Sequence, residues 1–394
     1  MQRPFTIENT RAGFDQLLQA LAQLSGAILI GLEATGHYWW ALYEDLTQHD
    51  HPVVVLNALQ VHAFRKSGVR KVKSDRTDAT WIAEFLRFSQ PAPAQPTTPV
   101  FLQLKEVSRF RYHLTEQIGD CKRKLLSILD RVFPEYETLF SSGFLTSSRQ
   151  LLARAASAQE LALFDLAELT DLLKTTSRSR FGRTKAETVQ AVAQQSVGVR
   201  FLADAAQLEV RCLLAQIDLL EEQRDQVAAA LAQLMAQVPQ HLTSVPGVGP
   251  TTGAALLAEI GDIQRLLTHA LAALAQCSVS LACGQGGPVR DAPEKLVAYA
   301  GIDATVYQTG QFEARQMHMS KRGSPYLRHA LWQAASLAIV HDVELRAYYD
   351  RKRQEGKSHG VHFSLGANSG IITSSDLEVR HVPNTCRNPG EIAG

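Results

Sequence analysis

Three acidic side chains carry the chemistry that this sequence could perform. Glu33 closes the apolar run AILIGLE at 27–33. Asp75 and Asp78 stand three apart at the head of the apolar stretch in RKVKSDRTDATWIAEFL (70–86). An acid that ends an apolar strand is poorly placed for packing and well placed for a cation. Acids at i and i+3 share one face of a helix. If that helix packs across the sheet, three carboxylates can converge. Hard oxygen ligands of this kind suit Mg²⁺ held together with substrate phosphate. Two such ions would stabilise both the attacking and the leaving oxygen of a phosphodiester. A plainer reading fits the same spacing: Asp75 caps the helix and Asp78 sits in the first turn, where the macrodipole favours negative charge. Spacing alone favours the cap.

The elements that must position these acids are legible upstream. AILIGLE reads as a strand, ATGHYWWALYEDL as an amphipathic helix, and HPVVVLN (51–57) as a β-branched strand. Strand, helix and strand in this order form a βαβ unit with parallel pairing and a right-handed crossover. The helix at 75–88 follows. SQPAPAQPTTP (89–99) holds four prolines and no charge, so it reads as a semi-rigid linker and a domain boundary.

Beyond the linker two stretches keep a heptad. The first runs through Leu104, Val107, Arg111, Leu114, Ile118, Cys121, Leu125, Ile128 and Val132. The second runs through Leu213, Ile217, Leu220, Arg224, Val227, Leu231, Leu234 and Val238. Each seam is apolar except for one arginine. Such spacing predicts long coiled-coil helices, either an antiparallel pair joined by 134–207 or a pair between subunits. Next comes HLTSVPGVGPTTGAALLAEIGDI from 241. Gly247 and Gly249 permit a tight turn, and the following helix offers free N–H groups to an anion. A helix-hairpin-helix would grip a DNA phosphate in this way, and a plain αα-hairpin is the alternative.

Net charge is +1, with 40 basic and 39 acidic residues, so the overall balance selects no polyanion. Local patches do. Arg65, Lys66, Arg70, Lys71 and Lys73 form one acid-free group. Lys174, Arg178, Arg180, Arg183 and Lys185 form a second, and Arg315, Lys321, Arg322 and Arg328 a third. Separated basic stretches in a neutral chain fit a protein that wraps nucleic acid, although each alone could be a solvated face. Five scattered cysteines without CxxC argue against a zinc site or a disulfide framework and fit a reducing compartment. No run is apolar enough to span a membrane, so the expectation is a soluble cytoplasmic protein.

Six segments then appear in a fixed order: IGLEATGHYWWAL, VVVLNALQVHAFRKS, RKVKSDRTDATWIAEFL, SVPGVGPTTGAALLAEIGDI, LVAYAGIDATVYQTGQF and MSKRGSPYLRHALWQAA. Together they resemble insertion-sequence transposases of the "one-ten" type, relatives of the pilin-gene DNA invertases, over roughly 5–265 and 290–360. The resemblance implies an RNase-H-like (RuvC-like) α/β domain with a D-E-D-D carboxylate set that binds Mg²⁺. A coiled-coil segment and a C-terminal helical domain with a serine nucleophile follow. It implies Mg²⁺-dependent DNA cleavage and strand exchange through a transient phosphoserine. It also implies a guide RNA encoded by the element and a homo-oligomer, dimer or tetramer. Carried over residue by residue, the glutamate falls on Glu33, the last two aspartates on Asp75 and Asp78, and the hairpin glycines on Gly247 and Gly249. The serine position is held by Thr309. Arg70, Lys71, Lys73, Lys321, Arg322 and Arg328 are the matching candidates for contacting nucleic acid.

The expected domains are 1–95 (carboxylate domain), 100–240 (coiled coil) and 241–355 (C-terminal transposase domain), with a disordered tail at 364–394. Four departures from the family pattern shape the expectation. The chain starts after the strand that carries the first aspartate, and Asp15, in a helix, is no substitute. The carboxylate domain should therefore be marginal alone. Thr309 replaces serine, and its extra methyl stiffens χ1 and crowds in-line attack. Residues 266–289 interrupt the C-terminal domain, and the tail lacks the family's basic helix. These departures suggest a degraded or frameshifted copy, and the alternative function is a catalytically impaired nucleic-acid-binding remnant. A purely structural coiled-coil protein does not explain the ordered motifs.

Overall fold

A computed structural model describes residues 5–34, 36–56, 61–62, 64–65, 75–90, 99–240, 242–245, 247–261, 299–302, 308–309, 312–313 and 319–356. Contacts divide the chain into two units, 1–98 and 99–394. This split falls inside the proline-rich stretch that the sequence marks as a boundary; residues 91–98 themselves, and hence the stiffness expected of the linker, lie outside the described residues.

In the first unit, α1 (Arg11–Ala22) is capped by Thr10, whose hydroxyl accepts from the Gly13 amide at 3.3 Å. β1 (Ile30–Glu33) and β2 (Val53–Leu56) pair in parallel, with Ile30 opposite Val53 and Glu33 opposite Leu56. The crossover helix α2 (Trp39–Gln48) joins them, so the βαβ unit forms as the patterning requires. α3 (Asp75–Ser89) lays Ile82, Phe85 and Leu86 against Val54 and Leu56. Gly31 is the contact point: a Cβ there would lie 2.7 Å from Leu86 Cδ1 and 3.0 Å from Ile82 Cγ2. The helix can press onto β1 because the strand has no side chain at that position.

The second unit is built on two long helices, α4 (Pro99–Val132) and α10 (Ala203–Met235). Proline opens α4, where its missing N–H costs no hydrogen bond. The two helices run antiparallel within one chain. Lys122 pairs with Glu221 at 3.2 Å, and Arg131, further along α4, pairs with Glu209, earlier on α10. Leu104, Leu114, Ile118, Cys121, Leu125, Ile128 and Val132 are buried, as the first heptad requires. The second heptad needs correction over its first half. There α10 buries Ala206, Gln207, Val210, Leu214 and Ile217, while Leu213 and Leu220 are only partly buried.

The cause is a helical domain where the sequence pattern predicts only a connection at 134–207. Between the long helices lie α5 (Tyr136–Leu139), α6 (Thr146–Arg154), α7 (Ala158–Leu163), α8 (Leu166–Thr176) and α9 (Arg183–Gln194). They share one core with the ends of α4 and α10. α10 must therefore turn apolar residues toward two neighbours rather than one. Buried Gln207 ties α10 to the end of α6, donating to the Ala153 carbonyl at 3.1 Å and accepting from the Ala156 amide at 2.6 Å.

After α10 comes a 3-10 turn (Leu242–Ser244), then α11 (Pro250–Ile260), an antiparallel ribbon of β3 (Gln308–Thr309) and β4 (Phe312–Glu313), α12 (Pro325–His341) and α13 (Val343–Gln354). A helical domain is the expectation here, and the ribbon is an addition to it. The interruption at 266–289 and the tail at 364–394 lie outside the described residues.

Candidate active site

Glu33 is the last residue of β1, and the chain leaves the sheet immediately after it, with the Ala34 amide donating to the Leu56 carbonyl at 3.0 Å. Asp75 opens α3, so both aspartates belong to its first turn. Asp78 lies one turn before Ile82, the residue that contacts Gly31, and so sits on the stripe that faces the sheet. The expectation that this helix packs across the sheet holds.

Among the described residues no group of three or more His, Cys, Asp or Glu could hold a metal ion. Asp78 Oδ1 instead accepts from Arg65 Nη1 at 2.7 Å, with each side chain about a quarter exposed. Arg65 belongs to the first basic group, so one member of that patch is a counter-ion to the candidate ligand. The Asp75 side chain, and Arg70, Lys71 and Lys73, lie outside the described residues. The donor chemistry of Glu33 and Asp78 still fits a hard divalent cation, because both offer carboxylate oxygens and Arg65 marks where positive charge is needed.

In the second unit Thr309 sits in β3, opposite Phe312, at the tip of the ribbon; its side chain lies outside the described residues. Gly247 has φ of +87°, and a Cβ there would lie 2.4 Å from the Ala338 amide nitrogen in α12. The surface that Gly247 approaches is therefore the protein's own helix. Gly249 is the N-cap of α11 and has open space around it. Lys321 and Arg322 are exposed on the loop before α12, while Arg328 donates to the Ala300 carbonyl at 2.9 Å. That loop is fixed by backbone contacts, with the Lys321 amide on the Gly301 carbonyl at 2.9 Å and the Ser324 amide on Tyr299 at 2.9 Å.

A buried polar network that the sequence reading missed holds these parts together. The Glu259 side chain is 1% exposed and accepts from Arg109 Nε at 2.7 Å, Arg109 Nη2 at 3.1 Å and Ser324 Oγ at 2.7 Å. Ser324 also caps α12 by accepting from the Leu327 amide at 3.2 Å. Burial pushes the Glu259 carboxyl up, but the hydrogen bonds from Arg109 and Ser324 and the nearby Lys105 outweigh it and leave the pKa lowered. Burial pulls Lys105 down. One carboxylate thus ties α4, α11 and α12 together. Glu259 lies 150 residues from Arg109 in sequence, so no local signal could have paired them.

Comparison with known proteins bears on both halves. Residues 2–134 match a DEDD-type transposase model, and residues 239–279 and 285–350 match the model described as transposase IS116/IS110/IS902 family. The break in the second match spans only 280–284, well inside the expected interruption. The mini-circle protein of IS117 from Streptomyces coelicolor is 26% identical over 367 residues, covering 89% of this chain and 81% of that protein. A 43.6 kDa protein of insertion element IS110 from the same organism is 24% identical, covering 73% of this chain and 66% of its own length. A pilin gene-inverting protein of Moraxella lacunata is 30% identical over 116 residues, 29% of this chain and 36% of that protein. With Glu33 and both aspartates inside the first match and Thr309 inside the second, the chain belongs to the IS110 family of transposases.

Proposed function

We propose that this transposase cuts and rejoins DNA at a site assembled from Glu33, Asp75, Asp78 and Thr309. The observation that carries the reading is the placement of Glu33 at the end of β1 and of Asp78 on the sheet-facing start of α3, both within the DEDD-type match. Glu33, Asp75 and Asp78 would hold Mg²⁺, which supplies charge stabilisation for the phosphodiester under attack. Arg65 holds Asp78 in an ion pair at 2.7 Å until a cation takes over that contact. The Thr309 hydroxyl oxygen would attack phosphorus and form a phosphothreonine ester, while the expelled strand leaves with the proton as a free hydroxyl. A guide RNA would select the DNA, and a homo-oligomer would bring the carboxylates of one subunit to the hydroxyl of another.

The test is covalent attachment of labelled DNA to the full chain in Mg²⁺, read on a denaturing gel. Attachment in the parent chain, lost in Asp78→Asn and in Thr309→Ala, is expected. Attachment that survives both substitutions would overturn the site. DNA binding without any attachment would favour the second reading, a catalytically impaired remnant, which the threonine in the nucleophile position motivates.

A further inference from the structure

The two arginines that interrupt the apolar heptads have no place in the site above. The antiparallel register brings them together, so Arg111 of α4 lies beside Arg224 of α10. Arg224 has a neighbouring acid, with Nη2 3.0 Å from Asp225 Oδ1. The Arg111 guanidinium makes no hydrogen bond or ion pair among the described residues, and its Nε is buried without a partner. A half-buried guanidinium without a hydrogen-bond partner is costly, Asp225 acts on it only through charge and makes it no hydrogen bond, and the cost falls when an anion arrives. Burial, with Arg224 second, lowers the Arg111 pKa from its ordinary value.

What lies around Arg111 points to the kind of anion. Ser108, Arg111, Tyr112 and Thr115 form one stripe of α4, and Tyr326, His329 and Gln333 form a facing stripe of α12. They enclose a cavity of about 40 Å³ at the α11 residue Thr251. Ala255 and Ala330 complete the lining, so hydroxyls, the Gln333 amide and rings stand beside apolar surface. The rings continue outward in a row. Tyr112 meets Tyr326 edge-on at 5.1 Å and His329 at 5.0 Å, and His329 stacks with Trp332 at 6.4 Å. Trp332 is 46% exposed at the end of the row. Burial lowers the His329 pKa, which favours a neutral ring. A guanidinium that needs an anion, next to exposed rings that can stack on bases, is the pairing used to hold unpaired nucleotides.

We infer that the groove between α4 and α12 binds a single-stranded nucleic-acid segment, with Arg111 on a phosphodiester and Trp332 stacked on a base. This rests on the reading that the chain handles nucleic acid, and it adds a contact remote in sequence from the carboxylates. The shared chemistry is a phosphate with an unpaired base, and DNA and RNA are its two sources.

The experiment measures anisotropy of labelled single-stranded DNA, single-stranded RNA and duplex DNA of equal length on the full chain. Parent, Arg111→Gln and Trp332→Ala proteins are compared over a range of salt. Each substitution should weaken single-strand binding about tenfold, within the range for one lost stacking or phosphate contact. Arg111→Gln should also lower the salt slope by about 0.7, one phosphate's worth. Duplex affinity should change little. The single strand that binds tighter in the parent identifies the source. Unchanged thermal midpoints in Arg111→Gln and Trp332→Ala separate a loss of binding from a loss of fold. Single strands bound equally by all three proteins would overturn this groove and leave the transposase reading intact. A parent chain that binds no nucleic acid would overturn both.

Discussion

At the residue scale, the second unit depends on ionised side chains whose partners are far away in sequence. Glu259 is the extreme case. Removing it as Glu259→Ala should destabilise the second unit by about 3 kcal/mol in urea unfolding, because Arg109 would stay desolvated without its bidentate partner. Glu221 supplies the pH dependence. The Arg149 hydrogen bond, opposed by burial and helped by Lys122, pulls its carboxyl down to about 2. A depressed folded-state pKa contributes stability that is present above the ordinary 4.5 and lost as pH falls toward 2. Glu221→Gln should therefore cost about 1.5–3 kcal/mol at pH 7, and its deficit against the parent should shrink steadily below pH 4.5. Urea midpoints at pH 7, 4 and 3 check this. An equal deficit at every pH would show that Glu221 acts by packing instead of charge. Asp78 differs in kind: it is partly exposed on Arg65, and its sequence context alone could not separate a helix start from a ligand.

At the element scale, the βαβ unit and both long helices follow from periodicity, because each buries one face and a buried face must repeat with its element. The PGVGP turn shows where local reading stops. Two glycines announce a close approach without saying to what. The structure answers that Gly247 meets the backbone of α12 at Ala334 and Ala338. Gly247→Ala should then cost about 2–5 kcal/mol, from the left-handed backbone together with the clash. Gly249→Ala, with open space around it, should cost less than about 1 kcal/mol. Thermal midpoints of the two variants, measured side by side, separate an internal contact from a turn kept free for a ligand. The seam of α10 makes a related point. Its heptad is real, yet the inserted helices rotate which residues are buried over its first half.

At the scale of the whole molecule, every described core cluster but one lies within residues 99–356, and the remaining one lies within 29–86. Residues 99–394 alone should unfold in one cooperative calorimetric transition near that of the second unit in the full chain; a non-cooperative profile would show that the first unit is needed for folding. The sequence by itself determined the transposase family, the parallel βαβ unit and the two long helices. Each of these rests on local order: motif succession, alternation or heptad spacing. Only the tertiary structure decided that the long helices pair within one chain and that α5–α9 build a shared core with them. It alone joined Glu259 to Arg109 and Ser324, set Arg111 beside Arg224, and gave Asp78 to Arg65. Those outcomes depend on which distant surfaces meet, and a buried charge or an unfilled glycine does not name its partner until the chain has folded around it.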